Sequence, residues 1–275
     1  STATKFKLYD LKGEVLDEKV FTLKQEKQQN KFLSKINDLE KIAIRVVHGG
    51  DFSETSKITQ SLKNKISEYT IFAPIHNERA LEVINILENI FPKKPLYACF
   101  DTAFHTTIPI ENSTYPIQQK IAKKYKLKKY GFHGLAISSA LDKLKTSKKE
   151  SREKLPAKII FAHLGGGSSI TAVKNGTSFI TSMGLTPLSG IPMITRSGNV
   201  DPDIFSALGR AGLSIDEIST ILNKESGFYG LTNSKDTKAI IEKAQKGSKK
   251  EKLAFDIFVF KVVQKIWAYA GIMQG

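Results

Sequence analysis

The chain has 275 residues, 40% of them hydrophobic and 25% charged, with nine prolines and nineteen glycines. That is one large or two modest domains with room for a core, and it excludes collagen-like and low-complexity classes. The formal net charge of +15 rests on 37 Lys and only 5 Arg; lysine suits solvated faces, whereas phosphate and base recognition leans on the guanidinium, so no nucleic-acid partner is expected. Apolar runs such as 159–162 and 257–260 fall far short of the ~18 residues of a membrane span. No secretory signal is read at the start, and a lone Cys99 fits a reducing compartment, so the expected location is cytoplasmic.

Lys5-Phe6-Lys7-Leu8-Tyr9 alternates polar and apolar, Lys12-Gly13 turns, and Glu14-Val15-Leu16 begins a returning strand. Strands are predicted over 42–47, 71–74 and 96–100, with a helix over 79–90. A buried strand at 159–162 precedes a second hairpin, in which 169–173 alternates, Asn175-Gly176 turns and 178–180 returns. Helices are predicted over 202–208, 215–222 and 253–272. Small residues precede each hairpin, Ser1-Thr2-Ala3-Thr4 and Gly165-Gly166-Gly167-Ser168, as in a duplicated β-loop-β-turn-β unit. The first copy has no strand ahead of its loop and the second half has no closing strands, so the chain reads as a fragment cut at both ends. The halves meet within the lysine-rich stretch 143–157, giving units 1–150 and 151–275. The expected class is α/β with a mixed sheet in each half, and ligands bind at strand carboxyl ends in such folds.

The candidate chemistry collects at those ends. Ile159-Ile160-Phe161-Ala162-His163-Leu164 delivers Gly165-Gly166-Gly167-Ser168-Ser169 into a tight turn, read either as a phosphate cradle or as an ordinary hairpin loop. Asp101 ends the run 96–100, where a carboxylate faces the ligand crevice or simply caps the following turn. Arg45 interrupts an apolar strand, so it pairs with a carboxylate or awaits an anion. Arg196 lies in a loop rich in Gly and Pro, and two such cations suit a transferring phosphoryl group. The five histidines, His48, His76, His105, His133 and His163, sit mostly at turns without zinc-site spacing. No nucleophile elbow supports hydrolase chemistry.

Seven motifs then occur in one order: Arg45-Val46-Val47-His48-Gly49-Gly50, Ala73-Pro74-Ile75-His76-Asn77, Phe100-Asp101-Thr102-Ala103-Phe104-His105, Tyr130-Gly131-Phe132-His133-Gly134, His163 through Ser169, Thr181-Ser182-Met183-Gly184 and Thr195-Arg196-Ser197-Gly198. Together they resemble the acetokinase family over the whole chain. The resemblance implies duplicated ribonuclease-H-like halves of the sugar kinase, heat-shock chaperone and actin fold, truncated at both ends. It implies reversible phosphoryl transfer between ATP and acetate with Mg2+, giving acetyl phosphate and ADP, in a cytoplasmic homodimer. By the same resemblance Asp101 is the acid/base or substrate-orienting carboxylate. Arg45 holds the carboxylate substrate, Arg196 and His133 stabilise the phosphoryl group, and His76 shares the pocket. Val47, Ile75, Phe132 and Pro187 match the acyl pocket. His163, Leu164, Gly165, Gly166 and Gly167 match the nucleotide phosphate loop. Lys5 matches a lysine near the nucleotide, and Asp236-Thr237-Lys238 falls where the family contacts adenosine. No metal ligand is expected within these residues. Gly166 stands for a usual Asn, Ile137 for a second histidine, Ala3 for a serine, and Thr237-Lys238 for a larger apolar residue and Arg. Open alternatives are a propionate or butyrate kinase, a donor other than ATP given Thr237 and Gly166, or a degenerate phosphate-binding module without activity, and these 275 residues alone are expected to be weak or inactive.

Overall fold

A computed structural model describes residues 3–36 and 39–275; Ser1 and Thr2 of the first loop lie outside the described residues. The alternating start folds as β1 (Ala3–Tyr9) and β2 (Val15–Thr22), antiparallel with Lys5 opposite Val20. Asp10 closes their turn by accepting from the amides of Lys12 and Glu14 at 2.9 and 2.8 Å. After α1 (Glu26–Leu33), β3 (Ile42–Val46) leads into β4 (Ser56–Lys57), α2 (Gln60–Glu68), α3 (Pro74–Ile90) and β5 (Leu96–Phe100). The strand expected at 71–74 is not one: Thr70–Phe72 is a 3-10 turn, and Pro74 starts α3. Proline supplies a helical φ and lacks an amide that the first helical turn would leave unsatisfied, so the helix begins five residues earlier than its apolar period suggests.

The sheet order is β3-β5-β4, with β3 parallel to β5 and β4 antiparallel on the other edge. Period-two alternation sends Ile44 and Val46 into a core with Leu62, Ile66, Ile84, Leu87 and Phe100, while Arg45 points to the other face. A 3-10 turn, Ala103–Thr107, then leads to α4 (Ile110–Ser113), α5 (Gln119–Lys124) and α6 (Gly134–Glu150). The lysines of 143–150 therefore form the last turns of α6, not a linker.

Next come β6 (Lys158–Leu164), β7 (Ser168–Lys174) and β8 (Thr177–Thr181). The expected mixed sheet is absent from this part: β7 pairs antiparallel with β6 and with β8. Strands joined by tight turns, with no crossover helix between them, can pair only that way. The Asn175-Gly176 turn has both residues at positive φ, 51° and 80°, which matches the twist of the strands it joins. Among the described residues β1 pairs with β2 alone, so nothing beside it corresponds to β6.

The chain continues through α7 (Asp203–Arg210), α8 (Ile215–Lys224), α9 (Gly227–Thr232), α10 (Thr237–Gln245) and α11 (Lys249–Ile272). Tyr269 of α11 and the adjoining Met273 cover Ile170 and Ala172 of β7, and Ile137 and Leu141 of α6 pack on Val173. No described helix is long and apolar enough to cross a membrane.

The α6 start is tied to β5. The Gly134 amide donates to the Asp101 carbonyl at 2.8 Å, and a Cβ at Gly134 would collide with that same carbonyl. Gly134→Ala is expected to lower stability by roughly 1–3 kcal/mol, read as a reduced urea midpoint with an unchanged m-value. A wild-type midpoint would show that the contact is dispensable.

Candidate active site

Parallel pairing of β3 with β5 puts Arg45 opposite Cys99 and leaves Asp101 one residue beyond the β5 end, its amide held by the Val46 carbonyl at 3.0 Å. Asp101 is 2% exposed. Arg45 donates from Nε to both of its oxygens, at 2.9 and 3.0 Å, and from Nη2 to Oδ2. This answers the alternative left open by the sequence: Arg45 pairs with a carboxylate. Its side chain stays more than half exposed, so the pair faces a cleft from one side only.

Across that cleft stand His133, His163, Gly167 and Arg196. His133 caps α6 in the left-handed conformation, φ 63°, and its Nδ1 hydrogen-bonds Ser169 Oγ at 3.0 Å. Its ring lies 4.3 Å from that of His163, centroid to centroid. A Cβ on Gly167 would lie 3.2 Å from His133 Nε2 and 3.5 Å from Arg196 Nη1, so these groups converge on this glycine, where a side chain would press on the His133 ring. Arg196 donates to the Pro187 carbonyl at 3.2 Å and, among the described residues, has no carboxylate partner. Burial lowers it from the usual guanidinium value, yet it remains a cation.

The imidazoles are held neutral. Burial, as the largest cause, with the charges of Arg196 and Arg45 among the smaller ones, pushes His76 down to about 4. Burial, then His163 and the two arginines, push His133 to about 3. His163 is lowered by burial and Arg45, against a raising effect of Asp101. At pH 7 the cluster thus carries two guanidinium charges against one carboxylate, with three uncharged hydrogen-bonding rings. An anion completes its charge balance.

The structure therefore gathers Arg45, Asp101, His76, His133, His163, Gly167 and Arg196. Val47 and Phe132 pack with Met183 and Met193 as an apolar wall beside them, and Pro187 touches Arg196. Ile75 and Leu164 are half exposed. Gly165 and Gly166 complete the loop, with the Gly165 amide donating to the Gly167 carbonyl at 3.2 Å and Ile194 lying over Gly166. Lys5 is held elsewhere: it pairs with Glu18 at 2.5 Å on the exposed hairpin. Asp236 caps α10 through the Ala239 amide, with Thr237 and Lys238 in its first turn, so local helix capping accounts for this aspartate.

Sequence reading missed the two methionines of the wall and the supporting roles of His48 and His105. His105 is fully buried, donates from Nε2 to the Phe132 carbonyl at 2.9 Å and accepts from Ser178 Oγ at 2.8 Å, which fixes the peptide leading into His133. Neither role has a sequence signal beyond the motif that contains it.

A tight glycine loop beside two arginines, one of them without a carboxylate partner among the described residues, is a site suited to an anionic ligand. The chain is similar to solved kinase structures. It superposes on acetate kinase from Porphyromonas gingivalis with TM-score 0.85 at 28% identity, covering 100% of this chain and 78% of that one. It superposes on propionate kinase from Francisella tularensis with TM-score 0.84 at 35% identity, covering 98% and 77%. The fold is that of these kinases, the actin and sugar-kinase fold. An acetokinase family model matches residues 6–275. Acetate kinase from Thermoanaerobacterium thermosaccharolyticum is 41% identical over 244 residues, 87% of this chain and 60% of that protein. The Fervidobacterium nodosum acetate kinase is 40% identical, over 95% of this chain and 62% of its own. The chain belongs to the acetokinase family and spans about 60% of the length of the curated relatives it matches.

His48, His76, His105 and His133 all titrate below their ordinary 6.5, at about 4 or, for His133, about 3. The unfolded chain therefore takes up protons first, and stability falls as pH drops from about 6.5 toward 4, by up to about 1.4 kcal/mol per pH unit per histidine. The urea midpoint is expected to be lower at pH 5 than at pH 7; equal midpoints would contradict the neutral assignments.

Proposed function

We propose that this chain supplies the acyl- and phosphate-binding machinery of an acetate kinase, transferring a phosphoryl group reversibly between ATP and acetate to give acetyl phosphate and ADP. The observation that supports it best is the convergence of Arg196 Nη1 and His133 Nε2 on Gly167, opposite the Arg45–Asp101 pair. In this reading Asp101 orients Arg45 by occupying Nε and Nη2, leaving Nη1 to hold the acetate carboxylate. An acetate oxygen attacks the γ-phosphorus, the bond to the β,γ-bridging oxygen breaks, and ADP departs with its electron pair. Acetate is already ionised at pH 7, so no proton need move. Catalysis reduces to alignment and charge neutralisation. Arg196 and neutral His133 donate to the equatorial oxygens as their charge develops, while His76 donates from the same side. His163 and Gly165–Gly167 take the donor phosphates.

Magnesium, which the family implies, is not caged by these side chains. Asp101 is engaged by Arg45, and no group of three or more metal-ligating side chains forms among the described residues. In this reading Asp236–Lys238 contact adenosine and Lys5 lies near the nucleotide, as the family pattern implies. The proposal extends to a cytoplasmic homodimer, in keeping with the family and the single thiol, Cys99.

A propionate-kinase reading has one specific observation in its favour. The acyl wall of Val47 and Phe132 is backed by Met183 and Met193, and thioether side chains repack readily around an extra methylene. A methylene alters selectivity by only about 1–3 kcal/mol, so propionate is expected to be a substrate, with kcat/KM reduced roughly 10-fold or more. Hydroxylamine trapping of the acyl phosphate formed with ATP and magnesium tests both acids. Arg196→Ala is expected to lower turnover about 10²–10³-fold. Unchanged turnover would remove its role, and no trapped product from any acid, with this chain or with a folded version lengthened to the span of its relatives, would remove the kinase reading.

A further inference from the structure

His48 follows the acyl-wall residue Val47 but is not aimed at the cleft. It is fully buried and enclosed by Tyr69, Phe72, Tyr130 and Phe132, ring centroids 4.6–5.4 Å away. Its tautomer is fixed: the Gly50 amide donates to Nδ1 at 3.2 Å, so Nε2 carries the hydrogen and donates to the Leu185 carbonyl at 3.2 Å. The backbone of His48 is fixed as well, since Asn77 accepts from its amide at 3.1 Å and donates to its carbonyl at 3.0 Å. Asn77 is the neighbour of His76.

Leu185 begins the segment that holds the phosphoryl side of the cleft. Its amide donates to Tyr115 Oη at 2.9 Å, so the two peptides that flank the Leu185 Cα are held, one by Tyr115 and the other by His48. Just before it, the Gly184 carbonyl accepts from the amides of Tyr130 and Gly131, each at 3.1 Å. Two residues after it, the Pro187 carbonyl accepts from Arg196 Nη1 at 3.2 Å. A continuous path thus runs from the His48 ring to the Leu185 peptide, to the Pro187 carbonyl and to the guanidinium. Arg196 has only the Pro187 carbonyl and the Met193 sulfur, at 3.6 Å, as side-chain partners among the described residues. Whatever sets Pro187 therefore sets Arg196.

We propose that His48 is a positioning residue for phosphoryl transfer: by clamping the Leu185 peptide together with Tyr115, it fixes where the Pro187 carbonyl holds the Arg196 guanidinium. The proposal rests on the kinase reading for its kinetic consequence but not for its structural one. A buried neutral ring with one acceptor and one donor in use suits this task better than a lysine or arginine, which would bring an unpaired charge into an aromatic cage.

The test is a double-mutant cycle in the full chain. His48→Phe keeps the ring packing and removes the donor; Tyr115→Phe removes the other grip on the Leu185 backbone. His48→Phe is expected to lower kcat about 10–100-fold in the wild-type background, with KM for ATP little changed, and by less than twofold when Arg196 is already Ala. A residue that supports only general stability would give the same factor in both backgrounds. Hydrogen exchange supplies a readout independent of turnover: amides 184–199 are expected to exchange faster in His48→Phe while those of 168–174 do not. An additive cycle or unchanged exchange over 184–199 overturns the clamp. If His48→Phe fails to fold, Tyr115→Phe is read in the same cycle, and additivity there has the same meaning. A wild type inactive both as this chain and in a folded version lengthened to the span of its relatives, whose exchange still responds to His48→Phe, would sink the kinase reading and leave the clamp standing.

Discussion

Everything in the site hangs on the parallel pairing of β3 with β5. Two adjacent strands running the same way end at the same edge, and their carboxyl termini present Arg45 and Asp101 side by side. Alternation does the rest, because Ile44 and Val46 are committed to the core and Arg45 is thereby committed to the cleft. A one-residue slip of β3 would bury the guanidinium and expose two aliphatic chains, so the hydrophobic core and the ion pair enforce one register. The α6 start is then fixed by the Asp101 carbonyl, which places His133 over the glycine loop.

The opposite wall is built on a different principle. The β6-β7-β8 sheet is antiparallel and hairpin-connected, and its contribution is a loop tight enough that Gly167 lets two donors approach its Cα. Excess cationic charge then sits on the side of Arg196, where no carboxylate among the described residues balances it, while the other arginine is balanced by Asp101. The cleft is asymmetric as a result. One side suits a small monoanion held in a fixed orientation, and the other suits a multiply charged group. Neutral imidazoles between them donate hydrogen bonds without adding the repulsion that two more cations would bring.

Much of this was legible in the sequence, for reasons that differ by element. Asn175-Gly176 specifies its turn because few residues other than Asn and Gly adopt two successive positive φ values cheaply. Arg45 was conspicuous because a charge in an apolar strand requires a partner, and Asp101 because it ends a buried strand. The short strand at 71–74 misled because an apolar triplet has no period of its own, and Pro74 decided the matter in favour of a helix. The mixed sheet was misjudged in the second part because helix–strand alternation was counted across the chain, whereas pairing follows the length of each connection. His48 and His105 were unreadable as positioning groups. Their partners are the carbonyls of Leu185 and Phe132, and a backbone carbonyl leaves no trace in residue identity.

The five histidines show why residue type alone underdetermines role. Each has a lowered proton affinity, and burial is the leading cause in every case. They separate only by where the second ring nitrogen goes. His48 and His105 have both nitrogens committed to protein groups, so they are spent on geometry. His133 has Nδ1 on Ser169 and turns Nε2 toward Gly167 and Arg196, so it keeps one donor or acceptor for a ligand. The lysines divide from the arginines in a parallel way. Lys126 and Lys128 pair with Glu68 and Asp51 at the surface, at 2.7 and 2.5 Å. The lysines in excess of such pairs, which leave the net charge at +15, act on an approaching anion only at a distance, through a field that salt weakens over about 10 Å. Arg45 and Arg196 act at contact, where planar, directional donors decide the outcome. The basic surface and the two arginines therefore serve successive stages of one task, and only the arginines require the fold to place them.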